Sequence, residues 1–223
     1  MPIATPSVPV QVRAMKHRIL TLSLLLVSLA APAEARCVVA DDLGSGVHFR
    51  REDGRAGVAV REGNKVRINY AAVADEWSDM RLAVLGIYET QGDFHFNTQE
   101  TVGGGYPRYT WTFAGRPPVP KPGKRWNTQV SQSRSEDIGT EVMPPPERSR
   151  YQATYTFLDS LEVTLSGCQY RVIPVEAATG TGTATLTQRW LYFPDLGFGL
   201  ETRVAAHLPG TEDRRGLLTL TVN

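Results

Sequence analysis

Beyond residue 35 the chain carries three histidines, His48, His95 and His207, and imidazole is the side chain best suited both to ligate zinc and to move protons near neutral pH. His95 with Glu89 and Asp93 makes the best local constellation. The apolar run from Leu82 to Tyr88 reads as a buried strand, with Gln91-Gly92 as the hairpin tip after it. These three polar groups then decorate a solvated strand end without the outer partners that brace a metal ligand. No metal and no cofactor are expected. Asp75, Glu76 and Asp79 form the densest acidic group and could pair as acid and base for glycoside cleavage, but on a loop they read as solvated. Ser45 and Ser166 each stand beside glycine, yet neither makes the G-x-S-x-G elbow of a serine hydrolase. The Gly103-Gly104-Gly105 and Thr179-Gly180-Thr181-Gly182 runs lack the lysine and helix of a phosphate loop.

Two cysteines remain, Cys37 and Cys168. They lack the C-x-x-C spacing of a redox pair, and in an oxidising compartment an isolated pair is a structural disulfide. The compartment follows from residues 15–35. Lys16, His17 and Arg18, an apolar run from Ile19 to Ala31, and Ala33-Glu34-Ala35 make the three parts of a secretory signal cleaved after Ala35. The run of 13 apolar residues is well short of the roughly 20 that a spanning helix needs. Arg36 before Cys37 does not suit a lipid-anchored start, and the residues before Met15 read as an over-extended one. A periplasmic or extracellular product, residues 36–223, is expected.

Removing residues 1–35 takes away Arg13, Lys16, Arg18 and Glu34 and leaves 21 basic and 22 acidic residues. Arginine supplies most of the cations without clustering in sequence, so no nucleic-acid face is implied.

Apolar residues recur with period two along almost the whole chain, which dictates strands. Candidates are Gly46–Arg51, Gly57–Val60, Lys65–Ala72, Leu82–Tyr88, a hairpin arm at Phe94-His95-Phe96, and Tyr109, Trp111 and Phe113 alternating with Arg108, Thr110 and Thr112. A short helical turn is expected over Ala71–Met80. Prolines in 115–150 mark a loop insertion at the sheet edge, holding at most the strand RWNTQVSQ. Tyr151–Phe157 and Leu161–Leu165 follow, and Gly167 makes a tight turn or bulge before Cys168–Val172. After Pro174 and a flexible loop come Thr183–Phe193, a Pro194-Asp195-Leu196-Gly197 turn, a strand with Glu201, Arg203 and His207 facing outward, and Leu218–Val222. The fold class is all-β, a single curved antiparallel sheet, half-barrel or open barrel, of about ten strands.

The aromatics concentrate in a few of these strands. Trp111, Tyr155, Trp190 and Tyr192 can share one concave face, either as core or as a groove for a lipid or acyl chain.

The segment Val163, Leu165, Gly167, Tyr170-Arg171-Val172, a variable hairpin and then Trp190-Leu191-Tyr192-Phe193-Pro194-Asp195-Leu196-Gly197 resembles a family of secreted bacterial proteins of unknown function. In them an aromatic, proline, acidic, leucine, glycine turn precedes a strand with outward charges. The resemblance covers about the last 70 residues, and Cys168 at the turn departs from it. It implies a half-barrel like those of periplasmic lipoprotein carriers, whose curved sheet cradles an apolar ligand or a partner. The functional expectation is therefore a non-enzymatic envelope domain binding an apolar ligand or an envelope protein. A hydrolase using the acidic residues or His95, and a purely structural envelope component, are the alternatives.

Overall fold

The computed structural model describes residues 36–71, 77–96, 106–137, 145–181, 184–206, 212–214 and 216–222. The expected signal, Asp75, Glu76, the glycine run 103–105 and His207 lie outside them, as does the His95 side chain. The described strands belong to one compact unit, Ala35–Asn223.

The period-two pattern folds as all-β structure, with one 3₁₀ turn over Ala40–Gly44. The first seven strands are β1 (Val47–Arg51), β2 (Ala56–Glu62), β3 (Lys65–Ala71), β4 (Trp77–Val84), β5 (Tyr88–Phe96), β6 (Tyr106–Phe113) and β7 (Arg125–Asp137). The rest are β8 (Glu147–Phe157), β9 (Leu161–Leu165), β10 (Cys168–Thr181), β11 (Ala184–Phe193), β12 (Phe198–Ala206), β13 (Glu212–Arg214) and β14 (Leu217–Thr221). They form one antiparallel sheet in the order β13-β12-β11-β10-β8-β7-β6-β5-β4-β3-β2-β1-β14, with β9 added on the first part of β10. The sheet curls nearly to closure. At the seam the Leu220 N–H of β14 donates to Ser166 Oγ in the β9–β10 turn, at 3.1 Å.

The strand count, fourteen among the described residues, exceeds the expected ten because several boundaries fall elsewhere than apolar runs suggest. Trp77–Met80 are strand, not helical turn. The hairpin between β4 and β5 turns at Leu85-Gly86, with φ of 54° and 68°, and not at Gln91-Gly92. Such a turn, with positive φ at both central residues, matches the twist of its strands, but Leu85 hides it inside an apolar run. Residues 125–137 are no edge insertion: β7 pairs along its length with β6 and β8. Pro174 does not end β10 either. It pairs with Leu191 of β11 on one edge and on the other stands where β10 leaves β9 and before it meets β8 at Val175; its carbonyl accepts from the Leu158 N–H at 2.9 Å on that second edge, so the missing N–H on the same edge interrupts no ladder.

Two buried clusters fill the interior. In the first, Val47, Phe49, Ile68 and Tyr70 meet Tyr170, Val172, Phe193, Phe198 and Leu200. In the second, Tyr88, Val130, Tyr155 and Phe157 meet Ile173, Val175, Trp190 and Tyr192. Successive residues such as Val172 and Ile173, or Tyr192 and Phe193, enter different clusters, so β10 and β11 are covered on both faces at these positions. That is why Trp190-Leu191-Tyr192-Phe193 shows no polar alternation. The β4–β5 turn docks on β12, where the Gly199 N–H donates to the Leu85 carbonyl at 2.8 Å. A Cβ at Gly86 would run into the Gly199 carbonyl, so glycine is required for both its φ and its contact.

The expected disulfide is formed. Cys37 and Cys168 are joined, 131 residues apart in sequence, and pin the start of the domain to β10. The Val38 N–H adds a bond to the Tyr170 hydroxyl at 3.0 Å, and Arg36 Nη2 reaches Asp42 Oδ1 at 2.6 Å.

Candidate functional site

β5, β6, β7 and β8 present one aromatic face to the interior, because their inward positions alternate with polar ones. The register sets Gly92 beside Tyr109, Trp111 beside Gln132 and Phe113 beside Val130, and Trp126 beside Tyr155. Gly92 belongs to this surface: a Cβ in its place would press on the Trp111 ring from 3.1 Å.

The aromatic face divides in two. Toward β10 and β11 it is packed shut. Tyr155, Trp190 and Tyr192 are only 5%, 3% and 4% exposed, and Tyr155 contacts Tyr88, Trp126 and Trp190 at centroid distances of 5.0, 5.5 and 6.4 Å. The Tyr88 hydroxyl donates to the Pro118 carbonyl at 2.9 Å. Burial pushes the Tyr88 and Tyr155 hydroxyls far above the ordinary phenol range, so both stay protonated. Toward β5 and β6 the face stays half-exposed. Phe94, Tyr109, Trp111, Phe113 and Tyr151 are only partly buried. Tyr109 stacks on Trp111 at 5.6 Å with an angle of 13°, and Phe94 meets Tyr109 edge-on at 5.5 Å. Tyr151, hydrogen-bonded by Trp111, is pushed up to about 12, by burial first and then by the Glu89 charge. Of the four aromatics expected to share a face, Tyr155, Trp190 and Tyr192 thus sit in one buried cluster, and Trp111 packs against it from the half-exposed part.

A charged group lies beside these rings. Arg81 of β4 grips Asp79 with Nε and Nη2, at 3.0 and 2.8 Å. Its Nη1 reaches Glu89 Oε1 at 2.7 Å and Glu201 Oε2 at 3.3 Å. Arg51, fully buried in β1, donates to Asp53 at 2.6 Å and lies 3.8 Å from Glu201. Gln188 donates to the other Glu201 oxygen at 3.1 Å. The Tyr70 ring lies within cation–π reach of both guanidiniums, 5.1 Å from that of Arg51 and 5.4 Å from that of Arg81. Burial holds the Glu89 carboxyl above its ordinary range; Arg81 opposes the shift and Glu201 and Asp79 add to it.

Glu201 does not point outward: it is 1% exposed, because the register of β11 on β12 shifts between Arg189 and Trp190 and sets Trp190 opposite Glu201. Glu89 is not at a solvated hairpin tip, since the turn falls at Leu85-Gly86 and leaves it in the body of β5. Asp79 is no free acid, being buried against Arg81. Asp93 accepts from Gln91 and Arg108. Among the described residues no three His, Cys, Asp or Glu side chains gather as metal ligands, and no helix is long and apolar enough to cross a membrane.

No protein-family model matches the chain, and no curated protein matches it. Among solved structures, it is similar to the crystal structure of the hypothetical lipoprotein YmcC from Escherichia coli (K12). The match covers 78% of this chain and 86% of that one, at 12% identity and a TM-score of 0.40.

Proposed function

We propose that this protein is a non-enzymatic domain of the bacterial envelope or its exterior that binds the apolar part of a ligand on the inner face of β5, β6 and β8. One observation carries the reading: Phe94, Tyr109, Trp111 and Tyr151 remain partly exposed on a face whose continuation at Tyr155, Trp190 and Tyr192 is shut. Aromatic surface left open beside a packed core is available to an apolar partner. Export is supported by the signal-like segment 15–35 and by the disulfide, which belongs to oxidising compartments. The Cys37 sulfur, held by Cys168, has no valence left for a lipid thioether.

The charged group is read as structural. Each carboxylate in it faces a guanidinium, and Arg81 is committed to Asp79, Glu89 and Glu201. The test is native mass spectrometry of freshly purified mature protein, followed by delipidation and titration with a hydrophobic fluorophore. A co-purifying adduct and saturable fluorophore binding support the proposal. The absence of both overturns it.

A further inference from the structure

The outer face of β6, β7 and β8 carries a separate feature that owes nothing to the aromatic interior. The register sets Thr110 beside Ser133 and Ser133 beside Arg148; two residues along, Thr112 lies beside Ser131 and Ser131 beside Arg150. Two parallel ranks result, each running threonine, serine, arginine across three strands. Neighbouring strands are about 5 Å apart, and residues two apart on one strand share a face at a spacing of about 7 Å. A groove of about 500 Å³ follows these ranks and is lined by all six residues.

Arg148 and Arg150 are exposed, and among the described residues no carboxylate pairs with either. The neighbouring acids Glu136 and Glu147 are taken by Arg134, which alternation places on the opposite side of β7. Each rank therefore offers a guanidinium fork flanked by hydroxyl donors, a combination suited to an oxyanion. Sequence alone conceals this, because the six residues come from three separate segments.

We propose that this groove binds a ligand bearing two oxyanionic groups, of phosphate or carboxylate type, about 7 Å apart, one on each rank. The arginine of a rank supplies charge and paired N–H donors, and the serine beside it supplies a further donor to the same anion. A ligand with a single anion engages one rank only.

The test is calorimetric titration of the mature protein, at low ionic strength, with inorganic phosphate and inorganic triphosphate. Triphosphate is expected to bind about tenfold tighter, one charged hydrogen bond being worth about that factor. Arg148→Gln with Arg150→Gln should weaken triphosphate by a similar factor. Ser131→Ala with Ser133→Ala should weaken it several-fold, and Lys121→Gln with Lys124→Gln, in an exposed loop, should leave it unchanged. All are surface changes, and unaltered melting temperatures confirm intact folding. Vesicles of one part phosphatidylglycerol to three parts phosphatidylcholine identify the source. Sedimentation with them that is lost in the arginine variant assigns the paired anions to lipid headgroups, and triphosphate binding alone assigns them to a soluble ligand. Equal affinity for phosphate and triphosphate, equal loss in the lysine and arginine variants, or vesicle binding indifferent to Arg148 and Arg150 would overturn the proposal.

Discussion

Arg81 Nη1 lies 3.3 Å from Glu201 Oε2, although β4 and β12 stand far apart in the order of the sheet. The bond therefore crosses the interior and ties together regions that the backbone ladder does not join. Glu201 reaches Arg51 as well, so one carboxylate connects β12 with β1 and β4.

Removal of Arg81 should be severe. Arg81→Ala leaves Asp79, Glu89 and Glu201 without their shared guanidinium, and an uncompensated buried charge typically costs about 3–5 kcal/mol. Urea unfolding should show that loss as a lower midpoint with an unchanged slope. Glu201→Gln, which keeps the side chain's shape, should cost less.

The Glu89 carboxyl sets the sign of a pH effect. Burial raises it above its ordinary range, with Arg81 opposing, so the folded protein binds that proton more tightly than the unfolded chain. Its contribution is then most favourable below the unfolded value and declines as pH rises through the folded one. The stability of Glu89→Gln relative to the parent should therefore increase from about pH 4 upward, the range in which a free glutamate ionises. Parallel stability curves would contradict this.

The strands on the first cluster were legible in sequence because their alternation is clean: Val66, Ile68 and Tyr70 point inward along β3. The disulfide was legible from cysteine number and compartment. The charged group was not, since its members are isolated polar residues on distant strands, and Glu201 reads as solvent-facing until the shift at Trp190 turns it inward. The place of Glu89 is hidden with that of the hairpin turn, because Leu85 at positive φ looks like any strand leucine. The aromatic face was visible as a set of rings, but which part stays open depends on how β10 and β11 are covered.

Reduction of the disulfide should destabilise the domain. Cys37→Ser with Cys168→Ser frees a loop spanning 131 residues, for which the chain-entropy model gives about 4 to 5 kcal/mol. The intact protein should carry no free thiol and no lipid on Cys37, as a thiol assay and intact mass will read directly.

Gly86 should resist substitution. Gly86→Ala forces a side chain into positive φ and against the Gly199 carbonyl, at a cost of about 1–3 kcal/mol. Thermal melting should register the loss, and amide exchange at Gly199 should quicken as its bond to Leu85 opens.

Fluorophore titration of paired variants tests whether the open half of the aromatic face binds an apolar ligand. Trp111→Ala, on that half, should weaken binding of a hydrophobic fluorophore about tenfold, as expected for losing about 1.4 kcal/mol of aromatic contact, with a smaller fall in melting temperature than truncation of a fully buried ring gives, because Trp111 also packs on the second cluster. Trp190→Ala, in the packed half, should lower the melting temperature instead, by the about 3–5 kcal/mol of a large core truncation. Fluorophore affinity unchanged in Trp111→Ala, or absent from the parent protein, would contradict the account.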